Sequence, residues 1–238
     1  MIQHPRKKKR KLLLSFIYRS SKLFFFLSVK TRLRLFSDLE WIFERLALEE
    51  SNKYYKKTHP HPSSIVEFVK PYLKPDFSIC DIGCKYGLIS AMLAQQVKKV
   101  VAVDSDPNAI SIAQKLYHGN NLQFICSEGT EYLKSNSGKF DMIVLSHILE
   151  HIDNPVEFLQ KNIPCTNLIF IEVPDIEKSF LNQYRLDTGS SLTYSDQDHI
   201  FEFDRVYLMN LFGELHLEIA NSEYKYGVQR YLLKTNTH

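Results

Sequence analysis

Short apolar runs, separated by polar or glycine-containing turns, recur along most of this 238-residue chain. Such runs are typical of strands buried on both faces of a parallel sheet. The predicted strands are residues 77–80, 100–103, 122–126, 140–145, 168–173, 215–220 and 228–233. Helical patterns cover residues 63–73, 88–94 and 204–212, and Pro107 opens a further helix. This alternation predicts an α/β fold.

The N-terminal part has a different pattern and a different charge. Residues 1–37 contain eleven Lys or Arg and no acid, whereas the remainder carries 19 cations against 27 acids, a net charge of −8. The apolar blocks 12–18 and 23–29 are each too short to span a bilayer, and no secretory signal is expected. We expect residues 1–30 to form a basic amphipathic arm that lies on an anionic membrane surface. A transit peptide, or a helix packed on the domain or on a partner, stays open.

Residues 31–62 are predicted to connect the arm to the main domain, residues 63–238. Apolar residues recur at helical spacing from Thr31 to Glu50, which predicts a helix there. Residues 53–62 are polar and contain proline, which predicts a loop. This loop either covers a cofactor or is a plain linker.

A glycine turn follows the first predicted strand of the domain. The strand ends at Asp81, and Gly83 and Gly87 precede an apolar helix. A helix N-terminus offers unpaired N–H groups, and glycine lets a ligand approach the backbone. The next strand ends at Asp104, where a carboxylate can hold ribose hydroxyls. The pattern predicts a nucleotide-type cofactor site.

The segment 81–87, DIGCKYG, resembles motif I of the class I S-adenosylmethionine-dependent methyltransferases, and Asp104 is similar to their acidic motif II. The resemblance implies a Rossmann-like, seven-stranded sheet whose last strand is antiparallel, with the N-terminal helical arm added. It also implies S-adenosylmethionine as cofactor and Glu128 as the contact to the adenine amino group. The implied cofactor-binding residues are Asp81, Gly83, Cys84, Gly87, Asp104, Ser105, Glu128, Gly129 and Ser146. One departure is Lys85, where the family usually has glycine.

The segment 146–155, SHILEHIDNP, resembles the motif IV region of methyltransferases that carry an LEH sequence. Quinone-precursor O-methyltransferases have a related stretch. Methyl transfer to a hydroxyl requires a proton acceptor, and imidazole titrates near neutral pH. His147, His151 and His199 are therefore the candidate catalytic residues.

A metal site is the second interpretation of the same residues. His147, Glu150, His151 and His199 could bind a divalent metal that holds a substrate hydroxylate. The arrangement is similar to the metal motif of the small-RNA 3′-end 2′-O-methyltransferases, as is the string DHIFE at 198–202. The first Glu of that motif is His147 here.

These residues predict an S-adenosylmethionine-dependent methyltransferase that acts on an oxygen of a small metabolite, lipid or glycan. RNA 3′-end ribose methylation and a non-catalytic, methyltransferase-fold binding protein are the alternatives. Nucleic acid is the less expected acceptor because the domain outside the arm is acidic. The four cysteines are expected to be reduced, in a cytoplasmic protein that is peripheral at the membrane through its arm.

Overall fold

A computed structural model describes residues 12–192, 196 and 198–235, with only the backbone of Lys57. The strands are β1 (Ser78–Ile82), β2 (Lys99–Asp104), β3 (Leu122–Cys126), β4 (Met142–Ser146), β5 (Leu168–Pro174), β6 (Glu218–Lys225) and β7 (Val228–Lys234). The α-helices are α1 (Leu12–Ser20), α2 (Val29–Tyr55), α3 (Pro60–Val69), α4 (Leu88–Leu93), α5 (Pro107–Leu116), α6 (Gly129–Ser135), α7 (Pro155–Asn162), α8 (Phe180–Thr188) and α9 (Arg205–Glu214).

The seven strands form one sheet in the order β3-β2-β1-β4-β5-β7-β6. The first five are parallel, and β7 pairs antiparallel with both β5 and β6. The central strands are buried on both faces because helices cover them, which explains their continuous apolar sequence. The predicted seven-stranded α/β sheet with an antiparallel last strand is therefore confirmed.

Two predicted boundaries differ from the structure. The expected loop 53–62 contains the end of α2, a 3₁₀ turn and the start of α3 at Pro60. Pro60 occupies the first turn of α3, and the His59 ring accepts the N–H of His61, so this polar sequence starts a helix. The expected strand 215–220 instead begins at Glu218, because an edge strand exposed to solvent has no continuous apolar run.

A polar insertion separates β5 from α9, and the structure contains a helix within it. Its α8 packs along α2, and Arg185 of α8 is buried. The Arg185 guanidinium donates to the Ser37 carbonyl at 2.7 and 3.1 Å and to Glu40 at 2.5 Å. The end of the insertion is fixed to the residues after β4, since the Ile200 N–H donates to the Glu150 carbonyl at 2.8 Å.

The N-terminal helices extend from the domain with much apolar surface exposed. No residue of α1 or of the 3₁₀ turn Ser21–Phe26 is buried, and α2 buries only Ser37. Among the described residues, no helix is long and apolar enough to cross a membrane. The basic run 6–11 lies outside the described residues, and the division of the chain at residues 30 and 62 stays a prediction.

Candidate functional site

The turn after β1 is closely packed at its two glycines. Gly83 (φ +71°) and Gly87 (φ +77°) have left-handed backbone conformations. A Cβ on Gly83 would lie 1.9 Å from Cδ1 of Ile148, and one on Gly87 would lie 2.5 Å from Cε1 of Phe124. Between them, Cys84 is buried, and burial raises the pKa of its thiol. We call this turn, with Gly83 and Gly87, the cradle. It has no space for a Cβ at either glycine, so its backbone stays open to close approach by a ligand.

Asp104 is fixed at the end of β2, beside this turn. Its Oδ2 accepts the Lys85 N–H at 2.7 Å, and its Oδ1 accepts the Asp106 N–H at 2.9 Å. Each carboxylate oxygen keeps a second lone pair for a ligand hydroxyl. Lys85 has a positive φ of 48°, and its ammonium lies 5.9 Å from the Tyr86 ring centroid. Lys85 itself is exposed, so its departure from glycine adds no side chain to the interior of the turn.

Asp81 is buried at the end of β1, with 2% of its surface exposed. Ser90 of α4 donates to Asp81 Oδ2 at 2.5 Å. Burial raises the pKa of Asp81 to about 7; the Ser90 hydrogen bond acts in the opposite direction, and the charge of Asp104 adds to the rise. The Asp81 carboxyl group therefore loses its proton near neutral pH. Its hydrogen bond to Ser90 joins β1 to α4.

Ser105, Glu128 and Gly129 lie at the ends of the neighbouring strands. Ser105 and Glu128 are exposed, and the Glu128 carboxylate makes no capping hydrogen bond to α6. A Cβ on Gly129 would lie 2.5 Å from Cγ2 of Ile82. All three residues follow carboxyl ends of parallel strands, the edge at which open α/β sheets bind ligands.

His147 lies between two buried carboxylates. Its Nδ1 is 2.9 Å from Glu150 Oε1, and its Nε2 is 3.4 Å from Glu172 Oε1. Partial burial lowers the pKa of the ring, but the hydrogen bond to Glu150 and the charges of Glu172 and Glu150 outweigh it, so the pKa is raised overall. The ring therefore has a carboxylate oxygen near each of its nitrogens and bridges the two acids.

Among the described residues, Glu150, His151 and His199 form one of two groups with the spacing of a metal site. Their donor atoms lie within 4.8 Å of one another. The Glu150 side chain is fully buried, and its Oε2 has no hydrogen-bond partner in the described part of the chain. His151 Nδ1 lies 3.1 Å from the Asp198 carbonyl, and His199 Nδ1 lies 2.9 Å from Glu202 Oε1. Hydrogen bonds of this kind orient the histidines of metal sites.

The second group contains residues that the sequence did not indicate. Glu172 of β5 is fully buried, and its Oε1 is 2.9 Å from both His61 Nε2 and Ser146 Oγ. Its Oε2 accepts from Arg230 of β7 at 2.5 Å. His61, His147 and Glu172 again have donor atoms within 4.8 Å of one another. Burial raises the pKa of Glu172, but the His61 hydrogen bond and the charges of His61, His147 and Arg230 lower it to about 2.

A signal for Glu172 and Arg230 was nevertheless present in the sequence. Each is a charged residue in the middle of an apolar run, LIFIEV and VQRYLL. A charge buried in a central strand requires an opposite charge nearby. The two residues are direct register partners across β5 and β7. Of the four predicted metal ligands, the structure brings Glu150, His151 and His199 into one group, whereas His147 belongs to the Glu172 group. The roles of these residues remain predictions.

Comparison with known proteins identifies the family. Residues 54–221 match the model of the methyltransferase domain family. Over 110 residues the chain is 31% identical to the ribosomal protein L11 methyltransferase of Staphylococcus saprophyticus, which covers 44% of this chain and 35% of that protein. Over 120 residues it is 31% identical to a probable cobalt-precorrin-6B C(15)-methyltransferase (decarboxylating) of Methanobrevibacter smithii, covering 46% of this chain and 64% of that protein. The chain thus spans between about one third and two thirds of these relatives' length.

Solved structures share the fold. The magnesium protoporphyrin IX methyltransferase of Synechocystis PCC 6803, with bound SAH, has a TM-score of 0.62 at 17% identity and covers 79% of this chain and 87% of that one. A SAM dependent methyltransferase of Archaeoglobus fulgidus has a TM-score of 0.59 at 16% identity, with 79% and 99% covered. The family match extends over most of the chain, including the glycine cradle, Asp104 and the LEH segment. The chain belongs to the methyltransferase domain family, among the class I S-adenosylmethionine-dependent methyltransferases.

Proposed function

We propose that this chain transfers the methyl group of S-adenosylmethionine to a hydroxyl oxygen of a small metabolite, lipid or glycan. The observation that carries the proposal is the fully buried Glu150, whose Oε2 has no partner within the described residues, beside His151 and His199. An unpaired buried carboxylate oxygen is costly and needs a ligand, a proton or an ion to offset its desolvation. This group lies after β4, whose end adjoins the cofactor cradle, since Ile148 packs on Gly83.

The cofactor residues fit S-adenosylmethionine, which supplies an electrophilic methyl group when bound. The cradle of Gly83 and Gly87 accepts close backbone approach, and Asp104 has lone pairs for ribose hydroxyls. Cys84 and Ser146 are assigned to the same cofactor site, and Ser105, Glu128 and Gly129 to its adenosine side. Phe124 and Ile148 pack against the cradle and would help to hold the methyl group in position for displacement.

The acceptor side can act through either of two mechanisms. In the first, His151 or His199 accepts the hydroxyl proton, while His147 is held by Glu150 and Glu172 and orients the acceptor. In the second, Glu150, His151 and His199 hold a divalent ion, which would stabilise a substrate hydroxylate. The donor set suits such an ion because it combines a carboxylate with two imidazoles whose Nδ1 atoms bond to protein oxygens.

Ribose methylation at an RNA 3′ end is the second candidate function. It is favoured by the group of Glu150, His151 and His199, which is similar to the metal motif of that family. The net negative charge of residues 38–238 opposes it, because RNA phosphates require cations. An RNA acceptor would therefore depend on the basic arm.

Residues 1–30 are proposed to attach the protein to an anionic membrane surface from the cytoplasmic side. The support is the acid-free, basic and aromatic composition of this segment and the exposed apolar side chains of α1. The four cysteines are free thiols. Deletion of residues 1–30 should weaken sedimentation with phosphatidylglycerol vesicles at low salt. Undiminished sedimentation after the deletion would contradict this attachment.

Calorimetry and isotope transfer test the enzymatic proposal. The full chain should bind S-adenosylmethionine and its demethylated product, and absence of both signals in a folded sample would refute the proposal. Label from the methyl group should then enter one fraction of a panel of metabolites, lipids, glycans and RNAs. His199→Ala should lower turnover at unchanged cofactor affinity, whereas His118→Ala, an exposed histidine outside the site, should not.

A chelator separates the two mechanisms. If a metal is used, chelation should remove activity and a divalent ion should restore it. If a histidine base acts alone, the chelator should leave the activity unchanged, and the activity should decline as the pH falls through the pKa of that base. Full turnover in both His151→Ala and His199→Ala would exclude these residues from either mechanism.

A further inference from the structure

Helix α2 carries an exposed apolar stripe along its length. We define the α2 stripe as Val29, Leu33, Phe36, Leu39, Phe43 and Leu46, spaced three or four residues apart, with 38–71% of each residue exposed. Residues at this spacing lie on one face of a helix. Ser37 and Glu40, one turn after Leu33 and Phe36, hold Arg185 of α8, so the stripe borders this contact. The stripe continues into the exposed apolar residues of the turn Ser21–Phe26, where the ring of Phe24 lies 6.2 Å from that of Phe36. Adjoining exposed apolar side chains of this kind mark an interaction site.

The charges around the stripe suit an anionic membrane. Every carboxylate of α2 lies within 4 Å of a cation, in the pairs Asp38–Arg34, Glu40–Arg185, Glu44–Lys178, Glu49–Arg45 and Glu50–Lys53. Lys30 and Arg32 have no acidic partner among the described residues. The stripe is therefore bordered by cations and by neutralised acids. An anionic bilayer complements this pattern, because Lys30 and Arg32 are available to its headgroups.

Helix α2 also connects this surface to the acceptor side of the site. Arg185 fixes α2 to the insertion, and Ser190 of the insertion donates to Asp38 at 2.6 Å. Farther along α2, Arg45 lies 3.1 Å from Asp196. Two residues later, the Asp198 carbonyl contacts His151. The stripe and the acceptor side of the crevice are therefore parts of one packed unit.

We propose that the α2 stripe lies on an anionic membrane surface and that the acceptor is the hydroxyl of an amphiphile held in that membrane. The inference rests on the proposed methyl transfer and narrows its acceptor. In this reaction the acceptor oxygen bonds to the methyl carbon as the carbon–sulfur bond breaks. The sulfur keeps the electron pair, and the hydroxyl proton passes to a histidine of the site. If α2 lies along the membrane surface, the acceptor side of the site would lie near the lipid headgroups. The acceptor would then not need to leave the bilayer.

A matched pair of double variants tests the surface. Phe43→Ser with Leu46→Ser removes two stripe residues that are 65% and 49% exposed. Val206→Ser with Met209→Ser, on α9, removes two residues that are 64% and 50% exposed and lie outside the stripe. On phosphatidylcholine vesicles containing phosphatidylglycerol, the stripe variant should bind about tenfold more weakly or worse, since two apolar side chains no longer insert. The α9 variant should bind like the parent chain.

Two results would overturn the surface assignment. One is equal vesicle binding by the two double variants. The other is a change of oligomeric state in the stripe variant, measured by light scattering, with unchanged vesicle binding, which would assign the stripe to a second copy. All four substituted residues are exposed, and binding of the demethylated cofactor by each variant checks that it is folded.

The acceptor class is tested with the full chain, methyl-labelled S-adenosylmethionine and a membrane fraction of the source organism. Label should enter material extracted with organic solvent, and the stripe variant should label it less while the α9 variant does not. Label only in water-soluble metabolites, or only in RNA, would overturn the membrane acceptor and leave methyl transfer intact. Cofactor binding without label in any fraction would instead overturn the transferase proposal.

Discussion

Gly83 is the residue of the cradle that contacts Ile148 of the LEH segment. Gly138 serves as a control for the effect of an alanine substitution at this position. Both glycines have φ of +71°, but a Cβ on Gly83 would overlap Ile148, whereas a Cβ on Gly138 meets nothing within 4 Å. Gly138→Ala should cost about 1–2 kcal/mol of unfolding free energy from backbone strain alone. Gly83→Ala should cost a further 1–3 kcal/mol or so through overpacking and should also weaken cofactor binding. Denaturant titration measures both, and equal losses would contradict the close contact.

Asp81 should make the stability of the cofactor-free protein depend on pH. Its pKa is raised from 3.8 to about 7, so the folded state favours the protonated form. The contribution of Asp81 to stability is therefore fully present below the unfolded pKa and is lost as pH rises through about 7. Asp81→Asn should stabilise the protein increasingly between these two values while it lowers cofactor affinity. Melting temperatures of the parent chain and of the Asp81→Asn variant, measured between these two pH values, test the stability. Calorimetry measures the cofactor affinity of both proteins. A pH-independent difference would contradict the raised pKa.

Some residues of the site could be predicted from the sequence, and others could not. Asp81, Gly83 and Asp104 follow from their positions at strand ends, because strand ends are set by local patterns. The partners of Glu172 could not be assigned in this way. Its neighbours His61 and Arg230 lie 111 and 58 residues away, and their meeting depends on sheet order. The division of the histidines into two groups likewise depends on the direction of the His147 ring.

Helix α8 is the element that fixes the N-terminal helices to the domain, and Arg185 is its main contact. Arg185→Ala removes the guanidinium hydrogen bonds to the Ser37 carbonyl and to Glu40 and should cost about 2–3 kcal/mol. Lys178→Ala removes an exposed pair with Glu44 and should cost at most about 1 kcal/mol. Limited proteolysis should cut α2 faster in the Arg185 variant only. Similar cleavage of both variants would mean that α2 is held by other contacts.

Among the helices and strands, the buried strands could be predicted from the sequence, whereas the polar elements could not. The parallel strands appear as apolar runs because both of their faces are covered. Helix α8 has a weakly amphipathic sequence, and its stability depends on contacts with α2 that no local pattern reveals. Strand β6 was displaced in the prediction because its exposed edge carries polar residues at most positions.

The whole molecule combines an acidic catalytic domain with a basic N-terminal segment, and these parts should be separable in function. The demethylated cofactor at about 100 times its Kd should stabilise the full chain by about 2.7 kcal/mol. The chain without residues 1–30 should show the same stabilisation, because every implied cofactor-binding residue lies between Asp81 and Ser146. Thermal unfolding with and without ligand measures both shifts. A reduced shift in the shortened chain would assign part of the cofactor site to the arm.

The position of β7 has a consequence for synthesis on the ribosome. Although it follows the other described strands in the chain, β7 lies between β5 and β6 and supplies Arg230 to the buried Glu172. A nascent chain that has exposed β1 to β5 holds the residues of the cofactor cradle but lacks Arg230. The acceptor side is thus completed only after β7 has been made, when the cofactor side is already able to form. A translation product that stops before Val228 should therefore retain the cradle sequence and still be an incomplete enzyme.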